Sequence, residues 1–457
     1  MIVMKRAIQR SVAALSLLLA LAVWPQQALA QSQLRDAETE AFFADLARPL
    51  ILAAGLSPRN VRVVLLNDDS INAFVAGGQT VYIHSGLIAA AEHAGEVQGV
   101  IAHELGHVAD GHIPLQDAGL KPAIGITILS MVLGIAAAAA GAGEAAAAMM
   151  SAGQTAAMGK YLAFSRNTEA TADASAVRFL DTAGLSGRGM LSFFKKLQNE
   201  EFQYQSGTAK IDPFAQTHPL SGQRITTLTA DLQKSASFKK PDDPALEDRF
   251  LRIKAKLMGY LSNPQTTLNV YPETDTGIYA RYARAYAWHK GGYPDKADAE
   301  TEALLHARPT DPYFLEIKGQ ILLEAGRPGE ALAPLREATE LSRYSPLIAT
   351  TFGHALVATE NPANLPEAEK VLRQAVARDD ENPFAWYQLG TVYEQRGDEA
   401  RVALAVAETA ALNGQDQRAA VSARRAMAGL TPNTPDWIRA QDIAMTSGFA
   451  AQDKKKR

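Results

Sequence analysis

The chain of 457 residues contains no cysteine. This absence excludes disulfide-stabilised scaffolds, thiol catalysis and metal sites built on thiolates, so any metal must be bound by histidine or carboxylate side chains. Basic residues are not in excess either, since 45 lysines and arginines stand against 49 acidic residues. A basic excess is the electrostatic footprint of a nucleic-acid-binding protein, and we therefore expect no nucleic-acid partner. With 47% hydrophobic and 21% charged residues, the composition excludes a disordered chain and a multi-pass membrane protein.

The N-terminus has the pattern of an export signal. Three basic residues precede an uncharged, apolar run over 12–24, and Ala28-Leu29-Ala30 then supplies the small residues that signal peptidase requires. The run is shorter than the ~20 helical residues that cross a bilayer core. We predict a cleaved signal peptide over 1–30 and a periplasmic protein; an uncleaved membrane anchor is the alternative.

Residues 31–233 are predicted to form one domain of helices with a small sheet. Apolar residues recur at helical spacing over 31–55 and again over 92–112. Apolar segments at 61–66 and 80–84 indicate strands, and Gly77-Gly78 marks the turn of a hairpin before the second strand. An aperiodic linker containing prolines follows over 234–247.

Beyond the linker the chain becomes repetitive. Pro312, Pro346 and Pro383 open successive units with a period near 34 residues. Small residues recur inside these units, with Gly319 at the eighth place, and allow two antiparallel helices to pack closely. The pattern resembles the tetratricopeptide repeat (TPR), with a generic helical bundle as the alternative. We predict an all-α TPR-like solenoid over 248–450 with a concave protein-binding face, and a basic tail over 451–457.

The residues that carry chemistry are concentrated at 103–107, where the sequence reads HELGH. Four residues advance a helix by about 400°, so His103 and His107 emerge on one face and can bind the same zinc ion. Glu104 projects beside them, where it can accept a proton from the attacking water. The five-residue pattern also occurs by chance on solvated helices, so the remaining ligands decide the class.

A third ligand must come from elsewhere in the chain. A metzincin would have glycine at 110 and histidine at 113, but the chain has Asp110 and Ile113, which rejects that class. His112 is out of register by one residue, and we interpret it as a group behind the ligands or on the surface. The gluzincin type needs a glutamate on a later helix with an acid four residues on, and Glu169 with Asp173 supplies that pair. Asp173 would then accept a hydrogen bond from a ligating imidazole.

Three segments together resemble the metallopeptidase family that includes HtpX and the CAAX prenyl endopeptidases. They are HELGH at 103–107, NAFVAGG at 72–78 with Gly86-Leu87 after it, and Arg166-x-x-Glu169-x-x-Ala172-Asp173. The 62-residue step from His107 to Glu169 is similar as well. The resemblance covers 60–224 and implies a gluzincin-type zinc peptidase domain, mainly α with a small β-sheet. It implies one Zn²⁺ per chain, bound by His103, His107 and Glu169.

The resemblance also includes Thr217-His218-Pro219-Leu220 and Arg224. It implies that His218 lies near the zinc, either as an extra ligand in a latent state or as a donor to the developing oxyanion. A loop histidine beside a turn-forming proline is the plain alternative. For Arg224 we consider two roles, a contact with substrate and an anchor for the loop.

Two further segments each allow two interpretations. We expect Asn72, Ala73 and Phe74 to lie on an edge strand over the cleft, where substrate adds by main-chain hydrogen bonds; a hairpin that only frames the active-site helix is the alternative. Residues 122–143 carry no charge and are long enough for a membrane span, but much of the run is alanine and glycine. We favour mobile helices that shield the active site. This interpretation is compatible with peripheral association of the protein with a membrane.

Together with the signal peptide and the repeats, the resemblance implies a periplasmic zinc metalloendopeptidase, with a chaperone role, in the quality control of envelope assembly. Its expected substrates are misfolded or misassembled outer-membrane proteins, and its repeats are expected to bind the outer-membrane assembly machinery. Two alternatives stay open. One is a chaperone or assembly adaptor with a largely latent peptidase, and the other is an integral membrane protease that uses 122–143.

Overall fold

The computed structural model describes residues 32–139, 142–205 and 218–456. The predicted signal peptide over 1–30 lies outside the described residues. The first part of the described chain contains four strands, β1 (Gln33–Leu34), β2 (Arg62–Leu66), β3 (Ala73–Ala76) and β4 (Thr80–His84). Its helices are α1 (Ala37–Ala53), α2 (Ser85–Ala90), α3 (Ala94–Ala109), α4 (His112–Ala139), α5 (Gly143–Thr182), α6 (Arg188–Gln205), α7 (Gly222–Lys234) and α8 (Pro244–Leu261).

The strands form one mixed sheet in the order β1-β2-β4-β3. β2 and β4 are parallel, whereas β1 pairs antiparallel with β2 and β3 pairs antiparallel with β4. The predicted hairpin is present, and its turn places Gly77 and Gly78 at φ of 60° and 96°, where residues with a Cβ are rarely found. Within the part of the chain that the structure describes, β3 is an edge strand with one side unpaired.

Helices α1 and α3 carry the apolar faces that the periodicity predicts. Phe42 and Phe43 of α1 are buried, as are Val100 and Ile101 of α3, and all four belong to one core together with Phe193 of α6. Burial of such a side chain contributes about 1.5–3 kcal/mol each. The helix that bears residues 103–107 is therefore held firmly in the core, and His103 itself packs against the core residue Phe194.

The second part of the described chain is helical throughout. After the short helix α9 (Pro264–Val270) come five consecutive helix pairs: α10 (Ile278–Lys290) with α11 (Pro294–Ala307), α12 (Pro312–Glu324) with α13 (Pro328–Leu341), α14 (Pro346–Ala358) with α15 (Leu365–Arg378), α16 (Pro383–Gln395) with α17 (Glu399–Leu412), and α18 (Asp416–Gly429) with α19 (Pro435–Lys456). Glycine at the eighth place permits the close packing that the repeats predict. A Cβ on Gly319 would lie 2.4 Å from Leu335 Cγ, and one on Gly353 would lie 2.5 Å from Leu372 Cγ.

The boundary between the two parts differs from the prediction. The linker predicted over 234–247 ends at Asp243, because α8 begins at Pro244 with the Asp243 carboxylate as its N-cap. The predicted start of the repeats at 248 therefore falls inside α8, whose Phe250 and Ile253 belong to the core of the first part. An amphipathic helix shows in its sequence that it has an apolar face, but not which neighbour covers that face.

Ion pairs fix α8 to its neighbours on both sides. Lys256 contacts Glu38 of α1 at 2.9 Å, and Arg252 contacts Glu38 at 2.8 Å and Asp311, next to α12, at 2.6 Å. The Arg252, Lys256 and Glu38 side chains are each no more than 6% exposed. The first part and the helical pairs are therefore joined through a buried charged cluster.

Two further predicted segments, the basic tail at 451–457 and the apolar run at 122–143, lie on helices as far as the structure describes them. Helix α19 continues to Lys456, so the residues predicted as a separate basic tail extend this helix as far as the structure describes them. The apolar segment at 122–143 falls mostly on α4, which packs against α5. Among the described residues, no helix combines the length and apolarity that crossing a membrane requires.

Candidate metal centre

Helix α3 presents the two histidines of HELGH on one buried face. His103 Nε2 and His107 Nε2 lie 3.2 Å apart, as the four-residue spacing predicts. Gly106, between them in the sequence, lets α5 approach closely, because a Cβ there would lie 2.7 Å from Ala172 O. This contact brings the part of α5 that contains Glu169 against the histidines.

Glu169 is buried between the two imidazoles. Its Oε2 lies 3.3 Å from His103 Nε2, and its Oε1 lies 3.4 Å from His107 Nε2. Burial alone would raise the pKa of Glu169, but His218 and His103 hold it well below its usual value. Burial likewise opposes a charge on His103, yet Asp173 and Glu169 raise the pKa of its imidazole to about 10. The carboxylates thus create a negative potential that favours a cation at this position.

His218 completes a group of four potential ligands. Its Nδ1 lies 3.1 Å from both carboxylate oxygens of Glu169 and 3.4 Å from His103 Nε2. One ligand atom from each of His103, His107, Glu169 and His218 lies within 4.8 Å of the others, and all four residues are buried. Tetrahedral ligands at about 2.0–2.1 Å from a zinc ion are about 3.3 Å apart, so the observed separations fit a single zinc.

Glu104 lies beside this group with an unused acceptor. Its Oε1 is buried without a hydrogen-bond partner among the described residues, and the nearest ring nitrogen, Nε2 of His218, is 3.6 Å away. Burial raises the pKa of the Glu104 carboxyl, although His218 and His103 oppose this effect. A buried carboxylate with a free oxygen next to a metal position is suited to accept a proton from water.

Asp173 and Arg224 lie behind the ligands. Asp173 Oδ1 is 3.0 Å from Nδ1 of His103, the ring nitrogen remote from the metal position. Arg224 donates from Nε and Nη2 to both oxygens of Asp173 at 2.8 and 2.9 Å, and its Nη1 lies 3.1 Å from Glu169 Oε2. The same Nη1 donates to the carbonyl of Pro219 at 2.8 Å. Of the two roles considered for Arg224, the contacts describe the anchor and not a group open to substrate.

The site now has counterparts among known proteins. Residues 33–231 match the sequence pattern of peptidase family M48. They form a peptidase family M48 domain. Members of this family are zinc-dependent metalloproteases, and the buried histidine and glutamate cluster fits one metal ion. The M48 domain therefore makes the chain a zinc metalloprotease.

Curated relatives extend beyond the M48 domain. The chain is 26% identical over 362 residues to the beta-barrel assembly-enhancing protease of Yersinia pestis, covering 77% of this chain and 71% of that protein. It is 27% identical over 369 residues to the protein of that name in Escherichia coli K12, covering 79% and 69%. The metalloprotease LoiP of Escherichia coli K12 is 32% identical over 170 residues, which are 36% of this chain and 60% of LoiP.

Three of the predicted substrate-binding residues of the M48 domain lie at edge strand β3, with Asn72 just before its first residue. Asn72 and Ala73 are buried, and the Oδ1 of Asn72 has no hydrogen-bond partner among the described residues. The Phe74 ring stacks on Tyr82 at 5.2 Å between centroids. β3 also packs against α3, the helix that carries His103 and His107.

His112 has a role in the M48 domain that the sequence left undecided. Its Nδ1 lies 3.0 Å from Nδ1 of His107, and its ring is buried. The turn that directs it there depends on Gly111, whose φ is 69°. His103 Nδ1 thus lies close to Asp173 and His107 Nδ1 lies close to His112, so that the Nε2 atoms of both rings face the group of potential ligands.

Proposed function

We propose that the chain is a periplasmic zinc metalloendopeptidase that degrades misfolded or misassembled outer-membrane proteins during envelope assembly. The observation that carries this proposal is the buried group of His103, His107, Glu169 and His218 with Glu104 beside it, whose Oε1 has no hydrogen-bond partner among the described residues. The names of the relatives support the class of substrate, since they are proteases that enhance beta-barrel assembly. The export signal predicted over 1–30 supports the periplasmic location.

In this proposal His103, His107 and Glu169 hold the zinc. A bound zinc ion supplies a Lewis acid that polarises the peptide carbonyl and makes water a better nucleophile at neutral pH. Glu104 accepts the proton of the attacking water and returns it to the leaving amine. Asp173 holds the His103 ring through its remote nitrogen, and Arg224 in turn holds Asp173.

We assign His218 the role of a latch. Its Nδ1 is as close to Glu169 as a fourth ligand of the same metal would be, 3.1 Å, and Arg224 binds the carbonyl of the adjacent Pro219. A fourth protein ligand fills the position that water and substrate need, so the resting enzyme has low activity. The competing role, a donor to the oxyanion, requires the same side chain to withdraw from Glu169 and turn toward substrate.

Substrate binding is assigned to β3. The free edge of this strand offers main-chain donors and acceptors to an extended polypeptide, with Asn72, Ala73 and Phe74 at its start. Recognition of this kind depends little on sequence, which suits a protease for unfolded proteins. The helical pairs after α8 are proposed to bind protein partners, including the outer-membrane assembly machinery, along their concave face.

A second candidate function is a chaperone or assembly adaptor with a largely latent peptidase. The contact of His218 with Glu169 favours it, because a latched site cleaves slowly while the repeats still bind clients. Proteolysis distinguishes the two functions.

The experiment follows degradation of an unfolded outer-membrane protein by the purified mature chain at neutral pH. Wild type should cleave, and Glu104→Gln should lose cleavage while retaining zinc, because it removes the proton acceptor and no ligand. The matched control is Glu92→Gln, which changes an exposed glutamate just before α3 and should cleave like wild type. If wild type does not cleave the client but still prevents its aggregation, the result supports the adaptor function.

A further inference from the structure

The pair of helices α4 and α5 exposes an unusual amount of apolar surface. Besides Met131, which is 52% exposed, six large side chains of α4 are each between 48% and 61% exposed: Ile124, Ile128, Leu129, Val132, Leu133 and Ile135. On α5, Met149 and Met158 are 43% and 57% exposed. At 100° per residue, the six side chains of α4 cover about half of the helix circumference.

Small residues fill the contact between the two helices. A Cβ on Gly153 of α5 would lie 2.0 Å from Ser130 Cβ, and one on Gly134 of α4 would lie 2.8 Å from Met150 Cγ. Ala146 and Ala157 of α5 are buried in the same seam. Ser130 of α4 meets Gly153 of α5, and Gly134, further along α4, meets Met150, which comes earlier in α5. The two helices therefore run antiparallel.

This arrangement is the reverse of packing in water. A helix of a water-soluble protein turns its large apolar side chains inward and its charged side chains outward. Here the small residues face inward and the large apolar residues face outward, as they do where lipid surrounds a helix pair. No charged residue occurs in 122–143 that would give α4 a polar outer face.

We propose that the α4–α5 pair lies in the surface of a phospholipid bilayer, with the exposed apolar side of α4 among the acyl chains of one leaflet. Glu144 at the start of α5 sets the orientation, because a charged residue at this end of the helix pair opposes insertion of that end among the acyl chains. Lys160 and Arg166 are exposed further along α5, where cationic side chains can reach lipid phosphates.

The consequence goes beyond the proposed proteolysis. α4 begins at His112, whose ring contacts His107, so a bilayer that holds α4 also holds the metal centre close to its surface. Chains that emerge unfolded at a membrane would meet the protease there. Docking does not require catalysis, and its test is independent of the proposed activity.

The test is flotation of the purified mature chain with vesicles of phosphatidylethanolamine and phosphatidylglycerol. Wild type should float with the vesicles. The triple variant Ile128→Asn, Val132→Asn, Ile135→Asn should partition at least tenfold less, because it replaces exposed apolar side chains only. The control Val421→Asn changes a side chain that is 55% exposed in the helical pairs, and it should partition within twofold of wild type.

A second measurement locates the contact. In Ile128→Trp, lipids brominated on their acyl chains should quench emission more than in wild type, whose tryptophans in the described chain lie at 288, 386 and 437. Failure of wild type to float, or equal flotation of the triple variant, would overturn the proposal. The proposal would also be overturned if the triple variant floated like wild type but no longer bound an unfolded outer-membrane protein. That result would identify a polypeptide as the partner of this surface.

Discussion

Replacement of Arg224 by methionine tests how the metal centre is supported. The guanidinium makes two short hydrogen bonds to Asp173 at 2.8 and 2.9 Å, one to the Pro219 carbonyl at 2.8 Å, and a contact with Glu169 at 3.1 Å. The side chains of Arg224, Asp173 and Glu169 are 7%, 8% and 5% exposed. Methionine has a similar length but cannot donate, so it removes one of the two cations that compensate the buried carboxylates, the other being His103.

The expected loss in the free energy of unfolding follows from the burial of these side chains. Removal of one partner from a buried, hydrogen-bonded ion pair typically costs about 3–5 kcal/mol, because the other charge stays buried and uncompensated. We expect Arg224→Met to lower the free energy of unfolding of the metal-free protein by an amount in this range, out of a total of typically about 5–15 kcal/mol. Arg224→Lys should recover only part of the loss, since lysine cannot bind both oxygens of Asp173 through a planar fork.

The assay is urea denaturation of the metal-free mature chain, with Arg336→Met as the control. Arg336 also binds a carboxylate through two nitrogens, each 2.9 Å from Glu367, but these side chains are 44% and 39% exposed. An exposed pair of this kind contributes less than about 1 kcal/mol. If Arg224→Met lost no more stability than the control, Arg224 would not be the buried support that the structure describes.

Three further predictions concern single side chains. His218→Ala, assayed on an unfolded client at equal zinc content, should raise cleavage if the residue is a latch, whereas an oxyanion role predicts a fall of about 10²–10³-fold. His112→Ala should weaken zinc binding about 10–100-fold in a competition titration, and His112→Asn, which keeps an acceptor for His107, should recover most of it. Burial raises the pKa of Glu316 to about 8, whereas the unfolded state ionises near the usual 4.5, so its ionisation opposes folding increasingly between these pH values. Glu316→Gln should therefore raise the free energy of unfolding at pH 8 and leave it nearly unchanged at pH 4.

Helix α3 could be predicted from the sequence because residues close together in the chain determine both its apolar face and the positions of its histidines. The four-residue spacing of His103 and His107 on an apolar-faced helix needs nothing beyond helical geometry. Glu169 is different, since it lies 62 residues further on and is selected by the gluzincin pattern, a glutamate with an acid four residues on, together with the family resemblance. The structure brings it within 3.4 Å of both imidazoles, but its role as a ligand remains a prediction.

Other features depend on tertiary contacts that the sequence does not encode locally. Arg224 could be a substrate contact or an anchor until its two bonds to Asp173 were known, because a long side chain reaches either place. For His112 the sequence allows a place behind the ligands or on the surface, and the turn at Gly111 decides between them because it brings the ring to Nδ1 of His107. The repeats are predicted to begin at 248 because the aperiodic, proline-containing stretch before that residue reads as a linker, although its last residues, 244–247, belong to α8.

The zinc content of two variants tests most directly whether Glu169 is a ligand of the zinc and Glu104 is not. Metal analysis of the purified mature chain should find one zinc per chain in wild type and in Glu104→Gln, and far less in Glu169→Ala, because only the last variant removes a ligand. Cleavage of an unfolded outer-membrane protein should be lost in both variants. Full zinc occupancy in Glu169→Ala would contradict the assignment of the metal centre.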